Sequence, residues 1–550
     1  MNAAAAAGDA SPLVADGPAA VARPTAGPAA VWRPSHNPWV VALTVTLATF
    51  MEVLDTSIAN VALPHMAGSL SSTTHEATWV LTSYLVANAI VLPLSAWLSR
   101  LVGRKRFYMT CVAIFTVSSA LCGLAPSLGW LIVFRILQGA GGGGLQPSEQ
   151  AILADTFEPA KRGMAFAVYG VAVVSAPALG PTLGGWITDN FSWRWVFYLN
   201  VPVGILSLVL SRWVVEDPPH ERAERAAKRG SPIDGIGLGL VTLGLGCLQV
   251  VLDKGQEDDW FESRFIVVFA VLAALGIAAA IVWELRQRDP IVDLRLLGTR
   301  AFGTAFTLMF ALGFALLGST VLLPIFLQTV MGYTAMQSGM ALTGGALTIM
   351  ALMPLVGTLV TRVQPRWLIL FGLLMSSYAL FRLTHLSLDS TFGQVAFDRV
   401  VQGVGLAFLF VPINTVAFAT VPPGKNNSAS SLINLARNVG ASVGISIVTT
   451  ILARRAQVHQ AILAAHVNPF DTPAREALAR FTTAMLPHGA NVGIAHDRAL
   501  TMIAGEVGRQ ASVLAVLDAF RFMSLALLLV APLALMVARV DPHGARATGH

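Results

Sequence analysis

Residues 134–141 read FRILQGAG, and residues 398–405 read DRVVQGVG. The two stretches share an arginine, a glutamine and two glycines at identical spacing, 264 residues apart. The same offset pairs Pro159 with Pro423, Lys161 with Lys425, Ala165 with Ala429 and Gly180 with Gly444. Earlier in each half, residues 99–104 (SRLVGR) match residues 361–366 (TRVQPR) at nearly the same offset. The repetition indicates two halves built on one plan, an arrangement typical of transporters whose site lies between the halves.

The amino-acid composition indicates whether these halves fold in water or in a membrane. Of the 550 residues, 55% are hydrophobic and 12% are charged, whereas a soluble domain has about 45–50% apolar and about 25% charged residues. The 48 glycines and 29 prolines are spread through apolar sequence, which is typical of packed membrane helices. The composition therefore excludes a water-soluble globule and predicts a membrane protein with many spans.

The charged residues and cysteines argue against several functional classes. The net charge of +6 is scattered in short clusters between apolar runs, so we expect no nucleic-acid partner. The three cysteines lie inside apolar runs, which offers neither a disulfide framework nor a zinc site. The sequence also lacks a phosphate-binding Walker segment and the His/Glu spacing of a metal enzyme. We therefore expect neither an enzyme nor an ATP-driven pump, and no cofactor or metal.

Fourteen apolar runs have about the 17–25 residues that cross a hydrocarbon core as a helix. They cover about residues 38–63, 79–99, 107–125, 130–151, 164–187, 195–213, 235–252, 264–283, 302–324, 338–360, 367–386, 397–418, 430–452 and 512–538. We predict an all-α integral membrane protein with fourteen transmembrane helices, arranged as two six-helix bundles and two inserted helices.

The domain boundaries follow from the repeat and the spans. The spans at 235–252 and 264–283 match neither half, so they are interpreted as the insertion. The predicted units are a disordered cytoplasmic N-terminus over 1–36, a first bundle over 37–213, a linker over 214–300 that contains the inserted helices, a second bundle over 301–540 and a cytoplasmic tail over 541–550.

The distribution of basic residues predicts the orientation. One set of short loops carries the clusters Arg100 to Arg106, Lys161 to Arg162, Arg222 to Arg229, Arg286 to Arg300 and Arg362 to Arg366. The opposite short loops carry little beyond Arg194, Lys254 and Arg264. Because basic loops face the cytoplasm, both termini are expected there. The segment 453–511 is then external, with amphipathic helical pieces expected around 474–485 and 499–517.

Two acids lie within the first apolar run. Glu52 and Asp55 are three residues apart, which places both carboxyl groups on one face of a helix. A buried acid in a membrane is costly and indicates function, and in such surroundings it can exchange protons near neutral pH. We predict Asp55 as the proton carrier, with Glu52 as a second proton site or as a negative charge that attracts cationic substrates. The alternative is a pair of acids that reach water or serve packing alone.

Arginines within the other spans are the expected partners. A guanidinium group does not deprotonate in proteins, so Arg135 is predicted to pair with an acid, with Gln138 one turn further on. The alternative for Arg135, and the favoured interpretation for Arg399 near the outer end of its run, is an arginine that extends to the membrane surface. Asn60, Gln138 and Arg437 are candidate residues of a substrate pathway.

Two further motifs carry small or basic residues. In the fifth run, Gly180, Pro181, Gly184 and Gly185 predict close helix packing and a bend, with packing alone as the alternative to a role in conformational change. In the loop after the second run, Arg100, Gly103, Arg104 and Lys105 serve either as a positive cytoplasmic anchor or as a latch that pairs with Glu149 or Asp155.

These motifs together carry a family resemblance. Residues 54–64 (LDTSIANVALP) resemble the first-helix signature of the fourteen-helix drug/proton antiporters of the major facilitator superfamily, the EmrB/QacA type. The sequence from Arg135 to Gly139 resembles the fourth-helix motif, and Gly180 to Gly185 the antiport motif. Residues 193–202 (WRWVFYLNVP), 252–261 (LDKGQEDDWF) and 467–470 (VNPF) resemble the EmrB branch. The resemblance covers about residues 37–540.

The resemblance implies a major facilitator fold in the bacterial inner membrane and the exchange of protons for hydrophobic drugs or toxins. It also implies a periplasmic adaptor and an outer-membrane channel as partners. The chain departs from the family pattern at Ala96 and Arg100, where the loop motif normally has glycine and aspartate, and at Glu52, where an uncharged residue is expected. The choice of proton acceptor therefore stays open between Asp55 and Glu52.

Another task is compatible with the same fold. A dedicated exporter of one metabolite or siderophore-like compound would carry the same repeat and the same spans, because fold does not settle function. The residues of the substrate pocket would distinguish the two.

Overall fold

The computed structural model describes residues 34–219, 234–422, 424–468, 470–485 and 492–537, mostly in helices. The predicted disordered N-terminus up to residue 33, the predicted tail over 541–550 and the basic cluster Arg222 to Arg229 lie outside these residues. The long helices are α1 (Pro38–Ser69), α2 (Trp79–Val102), α3 (Arg104–Leu124), α4 (Leu128–Gly142), α5 (Leu145–Thr156), α6 (Pro159–Asn190), α7 (Asn200–Val214), α8 (Gly235–Lys254), α9 (Arg264–Arg286), α10 (Arg300–Ile325), α11 (Ala335–Leu359), α12 (Pro365–Leu383), α13 (Phe392–Ala419), α14 (Asn426–Ala465), α15 (Thr472–Met485) and α16 (Val492–Val530).

The spans agree with the apolar runs of the sequence. Within the described ranges, 13 helices are long and apolar enough to cross a membrane, or 14 when the bent helix α6 is included. Helices α4 and α5 together form the fourth span, with a break at Gly143 and Gly144. The predicted all-α membrane fold is confirmed, and each predicted run overlaps one of these spans.

The helix packing of one half repeats in the other. In the first half α1 packs on α6, α2 on α4, and α3 on both α4 and α7. In the second half α10 packs on α14, α11 on α13, and α12 on both α13 and α16. The two halves meet where α6 contacts α11 and α13, and where α14 contacts α2 and α5.

The helix pair between the halves packs mainly on itself. Helix α8 contacts α9, and a Cβ atom at Gly244 of α8 would lie 2.8 Å from the backbone nitrogen of Ile277 in α9. Helix α8 also contacts α2 of the first half and α14 of the second. The pair therefore lies against one edge of the boundary between the halves.

The segment 453–511, predicted to be external, differs in its helices from the prediction. Helix α14 has 40 residues and α16 has 39, about 60 Å each at about 1.5 Å per residue, so both exceed a hydrocarbon core of about 30 Å. The piece predicted at 474–485 corresponds to α15, which packs on α16. The piece predicted at 499–517 is wrong as a separate helix, because it is continuous with the last span. No glycine or proline interrupts residues 453–465, so α14 continues there.

The fifth span has the bend that its prolines predict. Its parts Pro159–Pro177 and Leu179–Asn190 meet at an angle of 42°, because proline removes a backbone hydrogen bond and displaces the preceding turn. Beyond the bend α6 lies directly on α1. A Cβ atom at Gly180 would overlap the Ser57 side chain, and one at Gly184 would lie 3.0 Å from Ile58 Cγ2. Gly185 of the same motif has no neighbour within 4 Å of such an atom.

Gly180→Ala should lower the melting temperature of the purified protein, because the added methyl group forces α1 and α6 apart and overpacking costs about 1–3 kcal/mol. Gly185→Ala is the matched control, and it should be neutral or slightly stabilising since alanine favours helix. Thermal unfolding in one detergent measures both variants. Equal melting temperatures for the two would contradict the close contact.

Candidate functional site

A buried ion pair lies at the centre of the first half. Arg135 Nη1 on α4 donates to Asp55 Oδ2 on α1 at 2.6 Å. The other carboxylate oxygen of Asp55 accepts from Gln138 Nε2 at 3.0 Å and from Asn200 Nδ2 at 2.7 Å. The Asn200 amide also donates to Ser119 Oγ at 3.0 Å. The side chains of both charged residues are 0% exposed, so this cluster holds two fully buried opposite charges.

The guanidinium group of Arg135 is fixed on several sides. Its Nε donates to the carbonyl oxygen of Val80 at 3.1 Å, and its carbon lies 4.2 Å from the centre of the Tyr84 ring. Gly139 permits this arrangement, because a Cβ atom there would overlap the carbonyl oxygen of Tyr84 and hold α4 away from α2. Arg135 Nη2 is buried and has no hydrogen-bond partner in the described part of the chain. One donor of the group is therefore available to a new acceptor.

Glu52 lies one turn below Asp55 in a separate polar cluster. Its carboxylate accepts from Gln146 Nε2 at 2.6 Å, from Asn88 Nδ2 at 3.1 Å and from the Tyr84 hydroxyl at 3.4 Å. No Lys, Arg or His of the described ranges forms an ion pair with it. Arg437 on α14 donates to Gln146 Oε1. The cluster thus connects Glu52 in the first half to a cation in the second.

Tyr84 lies between the two clusters. Its ring lies against the guanidinium group of Arg135, while its hydroxyl donates to Glu52. A displacement of Arg135 would therefore be transmitted to Glu52 through one rigid side chain. We conclude that Asp55 and Glu52 belong to one connected group of side chains.

The cytoplasmic loop motif is engaged with its neighbours. Gly103 has φ 96° between α2 and α3, a conformation that favours glycine. Arg104 is buried and pairs with Asp155, one of the two acids predicted for a latch. Lys105 Nζ donates to the carbonyl oxygen of Arg212 at 2.7 Å. The other predicted acid, Glu149, is not a loop partner.

Glu149 is a core residue. It is 0% exposed, and one of its oxygens accepts from the Thr49 hydroxyl. Its position about one and a half turns beyond the break between α4 and α5 carries it into the packed interior, whereas Asp155 lies nearer the end of α5 and meets the loop. The prediction that Glu149 pairs with the basic loop is therefore wrong, because its carboxylate is bound to Thr49 in the core.

Polar contacts join the two halves at the end that carries the basic loop Arg100 to Arg106. Arg100 Nη1 donates to Ser428 Oγ on α14 at 3.1 Å. Asn426 Nδ2 at the start of α14 donates to Asp155 Oδ1 at 2.6 Å, and Asn434 Nδ2 donates to Gln150 Oε1 at 2.8 Å. These contacts hold α14 against α2 and α5, so the halves are closed against each other at this end.

Arg399 does not extend to the membrane surface as predicted. It is 7% exposed, and its Nη1 donates to Gln402 Oε1 at 2.5 Å and to Ser319 Oγ at 3.3 Å. A Cβ atom at Gly345 on α11 would lie 2.8 Å from the carbonyl oxygen of Arg399. The close approach of α11 buries this turn of α13, although the residue is near the beginning of its helix.

The predicted pathway residues separate. Gln138 belongs to the Asp55 cluster and Arg437 to the Glu52 cluster. The side chain of Asn60 is exposed and belongs to neither cluster. Asn88, Gln146 and Asn200 were missed by the sequence reasoning, although each is an uncharged polar residue within or beside an apolar run. No group of three or more His, Cys, Asp or Glu residues arranged to hold a metal occurs in the described ranges.

Comparisons with known proteins agree with this architecture. A model described as Major Facilitator Superfamily matches residues 45–445. The chain is 40% identical over 434 residues to the multidrug export protein EmrB of Haemophilus influenzae, which covers 78% of this chain and 84% of that protein. It is 38% identical over 460 residues to the fatty acid resistance protein FarB of Neisseria gonorrhoeae, with coverages of 84% and 89%.

A solved structure is similar to this chain in fold but not closely in sequence. The proton:xylose symporter XylE has a TM-score of 0.55 to this chain at 14% identity, and the match covers 88% of this chain and 96% of XylE.

Arg135→Gln should lower the melting temperature of the purified protein. The substitution leaves a buried carboxylate without its cation, which costs about 3–5 kcal/mol. The double variant Asp55→Asn with Arg135→Gln removes both charges and should melt closer to the unmodified protein. Thermal unfolding of both single variants and the double variant in one detergent gives the coupling. Additive losses would contradict the pairing.

Proposed function

The chain belongs to the major facilitator superfamily, in its EmrB branch, and from this we propose that it exports hydrophobic drugs and toxins in exchange for protons. It is a multi-pass membrane transporter of small molecules and not an enzyme. The observation that carries the proposal is the Asp55 carboxylate, fully buried in a membrane-spanning helix and held by Arg135, Gln138 and Asn200. An ionisable residue inside a membrane span is by default a functional-site hypothesis, and we assign it the exchanged proton.

The geometry supports a coupling of protonation to conformation. When Asp55 takes up a proton, it loses the charge that holds Arg135, and the guanidinium group must find another acceptor. The Nη2 atom of Arg135 has no hydrogen-bond partner among the described residues, so it is free to donate to such an acceptor. Tyr84 passes the displacement to Glu52, and Gln146 passes it on to Arg437 in the other half. Proton binding in one half is thereby linked to the contact between the halves.

Alternating access follows from the same contacts. The cytoplasmic closure through Arg100, Asp155 and Asn434 has to open for substrate to enter from the cytoplasm. Arg100 and Asp155 lie near the ends of their helices, where water replaces their hydrogen bonds at little cost, whereas Asn434 is buried about two turns into α14. The bend of α6 after Pro177 gives one of the contacting helices a proline kink, and we place the hinge of the motion there.

We place both termini in the cytoplasm and the protein in a bacterial inner membrane. The support is the basic loop clusters and the family resemblance. With this orientation the ends of α14 and α16 and all of α15 project on the periplasmic side. We propose that this projection contacts a periplasmic adaptor, which in turn joins an outer-membrane channel. The relatives named multidrug export protein and fatty acid resistance protein support apolar substrates.

Asp55→Asn should abolish proton-coupled export, because the amide keeps the shape of the side chain and loses the exchangeable proton. The measurement is drug resistance of a pump-deficient host at equal membrane expression, together with substrate-driven proton movement in vesicles. Asp189→Asn is the matched control, since Asp189 is an exposed acid near the outer end of α6, and it should retain full export. Full resistance from Asp55→Asn would overturn the proposal.

Glu52→Gln should weaken the export of cationic substrates more than that of neutral ones. Glu52 lacks an ion-pair partner in the described ranges and lies next to the boundary between the halves, so its charge acts on a passing ligand. Efflux rates of tetraphenylphosphonium and of a neutral dye in the same vesicles measure the effect. Equal losses for both substrates would assign Glu52 to the proton-coupling machinery instead.

A further inference from the structure

The repeat brings a second arginine cluster into register with the first. Arg135 and Gln138 correspond to Arg399 and Gln402 at the offset of 264, and the same offset carries Asp55 to Ser319. The contacts correspond as well. Ser319 Oγ accepts from Gln402 Nε2 at 2.8 Å and from Arg399 Nη1 at 3.3 Å, as Asp55 accepts from Gln138 and Arg135. The second half therefore has the same donors but a neutral hydroxyl in place of the carboxylate.

Arg399 has no counter-ion in the described part of the chain. The neighbouring acid, Asp398, pairs with Arg382 Nε at 2.7 Å. The Nε atom of Arg399 is buried and has no hydrogen-bond partner among the described residues. A guanidinium group stays charged in proteins, and an uncompensated buried charge is destabilising by several kcal/mol. The arrangement therefore favours an anion supplied from outside the chain.

A cavity lies directly over this arginine. Arg399 and Gln402 form its polar side, and the bent helix α6 of the first half contributes Val174 and Pro177. The rest of the lining is apolar and includes Leu342 and Leu406. The cavity measures about 20 Å³ in this structure, about the space of one water molecule. Because its walls come from both halves, it widens when α6 and α11 move apart.

We propose that the second half binds the carboxylate group of amphiphilic organic anions, with Arg399 as the cation and Gln402 and Ser319 as hydrogen-bond donors. This inference rests on the proposed export function and specifies one substrate class for it. The ligand carboxylate takes the place that Asp55 has in the first half. Its apolar chain lies along the leucine-lined side of the cavity, between the halves.

The two clusters then have complementary tasks. In the first half the acid belongs to the protein and exchanges a proton, whereas in the second half the acid arrives with the substrate. A neutral molecule of the same length leaves Arg399 unpaired, and a cation is repelled. The site therefore distinguishes a carboxylate from its amide by charge-assisted hydrogen bonds, which are about twice as strong as neutral ones.

Ser319→Asp tests the proposal, because it gives Arg399 a carboxylate of its own and reproduces the first-half cluster. The measurement is the dissociation constant of dodecanoate for the purified full-length protein, with dodecanamide and dodecyltrimethylammonium as probes of equal chain length. The unmodified protein should bind dodecanoate about tenfold more tightly than dodecanamide. Ser319→Asp should remove this preference. Ser319→Asn, which is close to aspartate in shape but neutral, measures how much of the loss comes from added bulk and how much from charge.

Binding of dodecanoate by Ser319→Asp with unchanged affinity would overturn the proposal, as would equal binding of dodecanoate and dodecanamide by the unmodified protein. If Ser319→Asp does not fold, Arg399→Gln is the test variant. This variant should fold, because it removes a buried charge that has no counter-ion in the described part of the chain. Loss of the preference in that variant supports the site, and retention refutes it. Binding does not depend on proton coupling, so this result is independent of the Asp55→Asn transport measurement.

Discussion

The structure depends on a single buried ion pair, Asp55 with Arg135. Removing either charge from water is costly, and only their direct contact together with further hydrogen bonds compensates for the loss. Gln138 and Asn200 supply those bonds to the carboxylate, while Val80 supplies one to the guanidinium group. Gly139 permits this contact, because any side chain there would separate α4 from α2. Helices α1, α2, α4 and α7 therefore meet around one interaction.

The two halves differ in whether this arginine has an acid as its partner. Both halves keep the arginine and the glutamine at corresponding positions, and both use glycines to bring the neighbouring helix into contact. Only the first half has the acid, because Ser319 occupies the corresponding position in the second. Divergence at one position thus separates a self-contained ion pair from an arginine that lacks one. The same packing plan then holds a paired arginine in the first half and, among the described residues, an arginine without an acid in the second.

The sequence predicts the fold far better than it predicts the site. Long apolar runs and an exact spacing of Arg135 and Arg399 are strong signals, because the bilayer requires continuous apolar helices and a repeat keeps its register. Asp55 and Arg135 could each be found as charges within apolar runs. Uncharged residues of the two clusters, such as Asn200 and Gln146, could not be found in this way. A single amide side chain in an apolar run is common, so its presence does not indicate a site. Arg399 was misjudged because distance along its own helix does not show that α11 covers it.

The central claim is that Asp55 gives up or takes up a proton when substrate binds. Its most direct measurement is the change in pH on adding an exported drug to the purified protein in weakly buffered detergent solution. The account predicts that the unmodified protein releases protons on binding and that Asp55→Asn binds the same drug without releasing any. Equal proton release from both proteins would contradict the assignment, because the proton would then come from another group.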